Sequence, residues 1–186
     1  MPFGWEGQKV RLVPLDKDRH FDNCVRWLND PEVTEWTLIG DFPLSRLTEE
    51  EYFERLTRKN EIDVAFAIET LEEEHLGVCS IHNINQRHGF GTLGLLIGRR
   101  PLWRRGYGSD TIAVLIRYGF EVLGLRLILA DAFANNTASL RALQKSGFHE
   151  IGRIPARYWK RGAYRDDVNL MLSREEWAAR AAGPGA

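Results

Sequence analysis

The sequence predicts an α/β fold: a mixed, largely antiparallel sheet with helices on both faces. Three observations predict it. An apolar run, Leu93 to Ile97, has the length of a buried strand. It leads through a basic, glycine-bearing loop, Gly98 to Gly108, into apolar residues at helical spacing: Ile112, Leu115, Ile116, Phe120 and Leu123. Short runs of period two recur on either side, separated by helical stretches and closing in a long hairpin around Arg161-Gly162.

Taken in order, Gln8 to Leu15 alternates Val10 and Leu12 against Lys9 and Arg11 and reads as a first strand, with Pro14 near its end. Asp16 or Asp18 caps a first helix over 19–29, with Phe21, Val25 and Leu28 on one face. Asn29-Asp30-Pro31 ends it, because the residue before proline is pushed out of helical space. Glu32 to Leu47 reads as irregular, with Trp36 and Phe42 either lining a pocket or sealing the sheet edge. Thr48-x-x-Glu51 predicts a capping box and a second helix over 49–59.

Asp63 to Glu69 and Leu76 to Ile84 read as strands two and three, and 86–92 as a turn into strand four. A third helix is expected over 108–122. Strand five, 126–132, sets Leu127, Leu129 and Asp131 on one face and Ile128, Ala130 and Ala132 on the other. A fourth helix opens at Asn135 to Ser139 and stops at Ser146-Gly147. Residues 148–158 and 167–172 pair as the hairpin, and Ser173-x-x-Glu176 caps a last short helix.

At 186 residues the expectation is one domain, 1–178, with an Ala/Gly/Pro-rich tail, 179–186, that frays. Apolar residues are 44% and charged residues 27%, and the formal net charge is −1, so the composition does not advertise a nucleic-acid partner. No apolar stretch reaches the ~18 residues of a membrane span. The two cysteines, Cys24 and Cys79, have no CxxC spacing and read as buried thiols of a cytoplasmic protein. His75, His82 and His88 lack a metal-ligand helix spacing, so no metal is expected.

The chemistry concentrates in the glycine-bearing loop. The first N–H groups of a helix have no intrahelical partner and lie at its partly positive end. Gly106 and Gly108 let the backbone approach a ligand, and Arg99, Arg100, Arg104 and Arg105 add positive charge. Together they suit a pyrophosphate. A solvated basic turn is the plain alternative. Neither the Rossmann fingerprint nor the P-loop fits: Thr111 stands at the third small-residue position, and there is no Gly-Lys-Ser/Thr.

Trp103-Arg104-Arg105-Gly106-Tyr107-Gly108 resembles the acetyl-CoA loop of the GNAT N-acetyltransferases, Gln/Arg-x-x-Gly-x-Gly/Ala, with Trp in place of Gln/Arg. Asn135-Asn136-Thr137-Ala138-Ser139-Leu140, followed by Leu143-Gln144-Lys145-Ser146-Gly147-Phe148, resembles the family's Asn-x-x-Ser and Lys-x-Gly-Phe segments. The resemblance is strongest to the RimJ/RimL-type branch. It implies a GNAT-type three-layer α/β/α fold, its sheet splayed between strands 4 and 5, and transfer of an acetyl group from acetyl-CoA to a primary amine. The acceptor implied is a protein or peptide N-terminus, or alternatively a small amine such as a polyamine or aminoglycoside.

The resemblance also implies roles. Backbone N–H groups from Arg104 and Arg105 through Gly106, Tyr107, Gly108 and Ser109 hold the pyrophosphate, with Arg99 and Trp103 flanking. Leu96, Ile97 and Gly98 bind the pantetheine arm and the thioester oxygen. Asn136 reaches the pantetheine from the other side, and Ser139 donates to the leaving thiolate or caps the helix. The family's frequent tyrosine acid is replaced by Leu143, and its frequent glutamate base by Thr92, which leaves Asp131, His82 and Asp166 as candidate bases. The missing glutamate favours an amine of low pKa: an α-amine near ~8 is far more often neutral at pH 7 than one near ~10.4. A non-catalytic acyl-CoA-binding module is the rival, with a domain binding ATP or NAD behind it. The aromatic hairpin (Tyr158, Trp159, Tyr164) suits either a homodimer surface or a cover over the acceptor site.

Overall fold

Strands and helices follow the alternation of period two and period 3.6 closely. The computed structural model describes residues 5–58 and 61–182. Among these, the strands are β1 (Val10–Pro14), β2 (Val64–Thr70), β3 (His75–Asn85), β4 (Phe90–Ile97), β5 (Leu127–Phe133), β6 (His149–Lys160) and β7 (Ala163–Ser173). The α-helices are α1 (Lys17–Leu28), α2 (Pro31–Thr34), α3 (Arg46–Thr57), α4 (Tyr107–Arg117), α5 (Thr137–Lys145) and α6 (Arg174–Ala182). One sheet runs in the order β1-β2-β3-β4-β5-β7-β6. Neighbours are antiparallel except β4 and β5, which run parallel and pair only over 90–92 against 127–129.

Successive strand residues face opposite layers. Val78 packs with Phe21 and Cys24 of α1 and Phe53 of α3. Its neighbours Cys79 and Ile81 join the main core with Ile112, Leu115 and Phe120 beneath α4. The result is the expected α/β/α sandwich around a mixed sheet. The strand-five parity also holds: Ile128, Ala130 and Ala132 are buried, whereas Asp131 is exposed.

Caps mark where the elements start. Asp16 accepts from the Arg19 N–H at 2.9 Å and opens α1. Ser173 and Glu176 form the expected reciprocal box at α6. Thr48 does not cap its helix. Ser45 accepts the Thr48 N–H, so α3 starts three residues earlier than the Thr48-x-x-Glu51 pattern predicts. Two stretches predicted as irregular or turn are ordered: Pro31 and the Asp30 cap nucleate the single turn α2, and β4 already pairs at Phe90. The helix after the central loop is α only to Arg117 and continues as a π turn over Tyr118–Val122. Helix α6 carries the chain to Ala182; the rest of the tail expected to fray, and Lys59 at the end of the predicted second helix, lie outside the described residues.

Candidate active site

The site grows from the point where β4 and β5 part. Gly98 N–H donates to Leu76 O at 2.9 Å. In an antiparallel ladder, residues 94 and 96 then bond to β3, and residues 95 and 97 turn their peptide groups the other way. There β5 has already diverged, so these groups open into a gap. Leu93 is buried, but Leu95, Leu96 and Ile97 stay half-buried because no strand covers them. The Ile97 carbonyl accepts Trp103 Nε1–H at 2.7 Å, which ties the loop to the strand end. Gly98 lies against Trp27 of α1, where a Cβ would meet the indole at 1.9 Å.

The loop then turns into α4. Arg104 (φ 61°) and Gly106 (φ 88°) both take left-handed backbone, strained for the arginine and free for the glycine. Gly106 caps α4 without a side chain, so no side-chain cap is found for the helix start among the described residues. A Cβ on Gly108 would touch only Leu95 at 3.7 Å and Ile97 at 4.0 Å, so the helix start faces open space beside β4. Lys9 Nζ donates to Arg105 O at 2.8 Å, and the Asp110 carboxylate accepts three backbone N–H groups from residues 8–10. These contacts hold the turn from outside. The four loop arginines are not equivalent. Arg99 pairs with Glu74, and Arg100 with Glu32 and Asp30. Arg104 and Arg105 are exposed, and no acidic partner is found for them among the described residues. The arrangement fits a pyrophosphate between two unpaired cations and an uncapped helix start.

Across the gap, Asn136 caps α5, its Oδ1 accepting the Ser139 N–H at 3.1 Å. Capping falls to Asn136, which leaves the half-buried Ser139 hydroxyl outside that bond. Leu143, at the position of the family's frequent tyrosine, is 3% exposed and part of the core.

The third wall is the β5–β7 surface. Asp131 is open to solvent yet crowded by protein, and this desolvation, with Asp167 beside it, holds its carboxyl above the usual range; His82 and Arg157 pull the other way. His82 pairs across with Thr92, and its Nδ1 lies 3.4 Å from Ser80 Oγ. Asp167 is fully buried. Its Oδ2 accepts Arg157 at 2.6 Å and Asn169 at 3.0 Å, while Oδ1 has no partner among the described residues. Asp166 is engaged in the hairpin, accepting the Ala156 N–H at 2.8 Å where the backbone bulges to φ 50°. So Asp131 and His82 come together near the gap, and Asp166 holds the hairpin.

On the other side of β4 lies a cavity of about 200 Å³ under α1 and α3. Leu28, Ile39, Phe53, Val78 and Leu96 line it with one carboxylate, Glu49. Glu49 is 4% exposed, and no hydrogen bond or ion pair to its carboxylate is found among the described residues. Burial pushes its carboxyl up to about 7. Among the described residues, no group of three or more His, Cys, Asp or Glu is placed to hold a metal ion. No helix there is long and apolar enough to cross a membrane.

The family model for the acetyltransferase (GNAT) domain matches residues 9–149, about three-quarters of the chain. The chain belongs to the GNAT acetyltransferase family. Like the family it is an acetyl-CoA-dependent N-acetyltransferase, acting on an amine. It is 28% identical over 157 residues to the uncharacterised N-acetyltransferase p20 of Bacillus licheniformis, spanning 83% of this chain and 87% of that one. Over 105 residues it is 34% identical to the uncharacterised N-acetyltransferase YoaA of Bacillus subtilis (56% of this chain, 59% of that one). The fold is shared with spermidine N-acetyltransferase from Vibrio cholerae, solved with CoA and spermine. That match has a TM-score of 0.82 at 18% identity and covers 91% of this chain and 98% of that one.

Sequence reasoning did not find Glu49 in this GNAT domain. Read as the first residue of a helix, an acid there is a dipole partner and unremarkable. With α3 starting at Arg46, Glu49 stands instead at the head of an i, i+3, i+4, i+7 face with Tyr52, Phe53 and Leu56. A carboxylate in an apolar stripe was the available signal. Asp167 and Arg157 were hidden for another reason: their pairing depends on the bulge in β6, which the sequence does not mark.

Proposed function

We propose that the acceptor is the α-amine at the N-terminus of a protein or peptide, in the manner of the RimJ/RimL-type branch. The observation that carries this reading is the neutralisation of the acidic residues around the acceptor side. Asp30 and Glu32 pair with Arg100, Glu35 with Arg161 and Arg165, and Asp41 with Lys160. A polyamine or aminoglycoside carries several positive charges and needs free carboxylates to meet them. A peptide N-terminus carries one.

In this reading acetyl-CoA lies in the gap beyond residue 92. The N–H groups of Arg104 through Ser109, with the side chains of Arg104 and Arg105, hold the pyrophosphate, and Trp103 and Arg99 flank it. The Ile97 N–H, between Leu96 and Gly98, polarises the thioester oxygen, and with the Leu95 peptide groups it takes the pantetheine, the Ile97 carbonyl being held by Trp103. Asn136 contacts the arm from α5. Ser139 donates to the departing thiolate, a modest contribution because a thiol near ~8.5 is a good leaving group. Asp131, with His82 beside it, relays protons between the open cleft and water.

Release of free CoA from acetyl-CoA tests the reading. The panel holds short peptides with free and blocked N-termini, spermidine and an aminoglycoside. Release with free N-termini, and none with the blocked peptides, is the expected result. Release confined to spermidine or the aminoglycoside refutes it.

A further inference from the structure

The cavity beside β4 holds a group that the reading above leaves without a role. Glu49 is more than nine-tenths buried, points into an apolar space, and has no hydrogen-bonding or ionic partner among the described residues. A carboxylate in such a place costs free energy unless something arrives to pair with it. The same cavity is bounded by Gly94, Leu95 and Leu96, and of these Leu95 turns its peptide groups into the gap. The free carboxylate and the gap where the thioester lies therefore share one wall.

Resting on the acetyl-transfer reading, we infer that this cavity seats the acceptor and that Glu49 is the carboxylate that binds its ammonium and takes its proton. The chemical class of acceptor follows. One carboxylate meets one positive charge. The remaining walls are mostly apolar, including Leu28, Phe53, Val78 and Leu96, with Thr37, Tyr52 and Ser80 adding hydroxyls, and a cavity of about 200 Å³ lies below the ~300 Å³ at which sites for drug-sized ligands begin. The occupant is a primary amine on a compact apolar body, as at a peptide N-terminus with an apolar first side chain.

The step balances. The bound ammonium gives one proton to Glu49. The amine lone pair attacks the thioester carbonyl carbon and forms the C–N bond. The adduct collapses, the C–S bond breaks, and the proton still carried in excess on nitrogen passes to the thiolate, giving the amide and CoA thiol. Glu49 then returns its proton to water. The titratable groups around it are Cys24 of α1, pushed up to about 12, Cys79 of β3 and Tyr52 of α3, both also raised by burial. All three stay neutral through the neutral range, so among the groups lining this cavity Glu49 alone ionises there and gives the profile an acid limb; Asp131 and His82 lie outside that lining, toward the open cleft.

The test measures acetyl transfer to leucinamide, a Leu-initiated peptide and spermidine by wild type, Glu49→Gln, Glu49→Asp and Ala65→Phe. Ala65 lines the same cavity, and its enlargement takes up space there while leaving residue 49 unchanged. Glu49→Gln is expected to lower kcat/KM for the two monoamines by ~100-fold or more. It removes the acid limb, leaves KM for acetyl-CoA within about twofold, and melts cooperatively. Glu49→Asp retains the limb with reduced rate, and Ala65→Phe raises the monoamine KM alone. Two results overturn the inference: a folded Glu49→Gln protein with wild-type kcat/KM and an unchanged acid limb, or wild-type turnover of spermidine with none of leucinamide. Transfer to leucinamide that depends on Glu49 but fails with every peptide keeps this inference and removes the N-terminal reading instead.

Discussion

Replacing Glu49 by Gln is expected to stabilise the protein at high pH, and the size of the effect follows from its burial. Gln has the shape of the protonated acid but cannot ionise. In the folded chain the Glu49 carboxyl sits at about 7, against 4.5 for an ordinary glutamate. Between those values the unfolded chain has released a proton that the folded chain still holds, so stability falls as pH rises and levels off above the folded value. At 1.36 kcal/mol per pH unit the full penalty is about 3 kcal/mol, and only about 1 kcal/mol of it has developed by pH 5. A second group works against it. Burial, then the neighbouring His20, drive His75 down to about 4 from 6.5, so its contribution is lost as pH falls through the same window. In wild type the two trends offset each other over about pH 4.5–6.5. In Glu49→Gln only the histidine trend survives. Thermal melts of both proteins at pH 5 and pH 8 make the comparison. For a chain of this length, ~3 kcal/mol corresponds to a Tm gain of about 6–12 °C at pH 8, with a much smaller gain at pH 5. A gap that does not widen with pH, or a variant less stable than wild type at pH 8, refutes the assignment of a buried, unpaired charge.

Other substitutions separate the parts of the cofactor site. Arg104→Ala and Arg105→Ala should each raise KM for acetyl-CoA several-fold, more at low salt, because their charge is free; Arg99→Ala should change it less, since Arg99 is paired with Glu74. Steady-state kinetics at two ionic strengths check this. Gly106→Ala forces a Cβ into left-handed backbone at φ 88° and should weaken CoA binding about tenfold or more by calorimetry, at a strain of ~1–3 kcal/mol. Ser139→Ala should lower kcat by less than about tenfold, with CoA affinity kept, as stopped-flow thiol release would show. Asp167→Ala leaves the solvent-exposed Arg157 and the neighbouring Asn169 without their shared acceptor and should lower the urea midpoint, chiefly through the lost buried acceptor.

The backbone arrangement proposed for the cofactor side was legible in the sequence because local rules govern it. A strand, a left-handed glycine and a helix start are consecutive in the chain, and so are Asn136 and Ser139 at the head of α5. Their chemistry needs backbone groups, which any sequence supplies once the turn is made. Charge was less legible. Four arginines close together read as one cationic cluster, yet Arg99 and Arg100 are neutralised by Glu74, Glu32 and Asp30, distant in sequence and brought in by the β2–β3 turn and α2. Only the tertiary fold decides which charges remain free.

The acceptor side was least legible, and its proton chemistry depends on burial more than on motif. Thr92 stands where relatives often carry a glutamate, and the sequence therefore suggested a site without a strong base. Yet a base need not stand on the strand beside the thioester. It needs a raised pKa and access to the amine. An acid on an apolar helix face acquires the first through desolvation, as Glu49 does, and the second through the cavity it shares with β4. The α-amine argument changes accordingly. An acceptor of low pKa is no longer needed to compensate for an absent base; it is matched to the one present. A carboxyl at about 7 takes a proton readily from an α-amine near ~8 and poorly from a lysine-like amine near ~10.4. Relative kcat/KM for an N-terminal peptide and for the same peptide blocked at its terminus but carrying a free lysine should favour the former by ~100-fold or more at pH 7. A lysine substrate turned over equally well would mean that Glu49 does not set the proton chemistry of the acceptor.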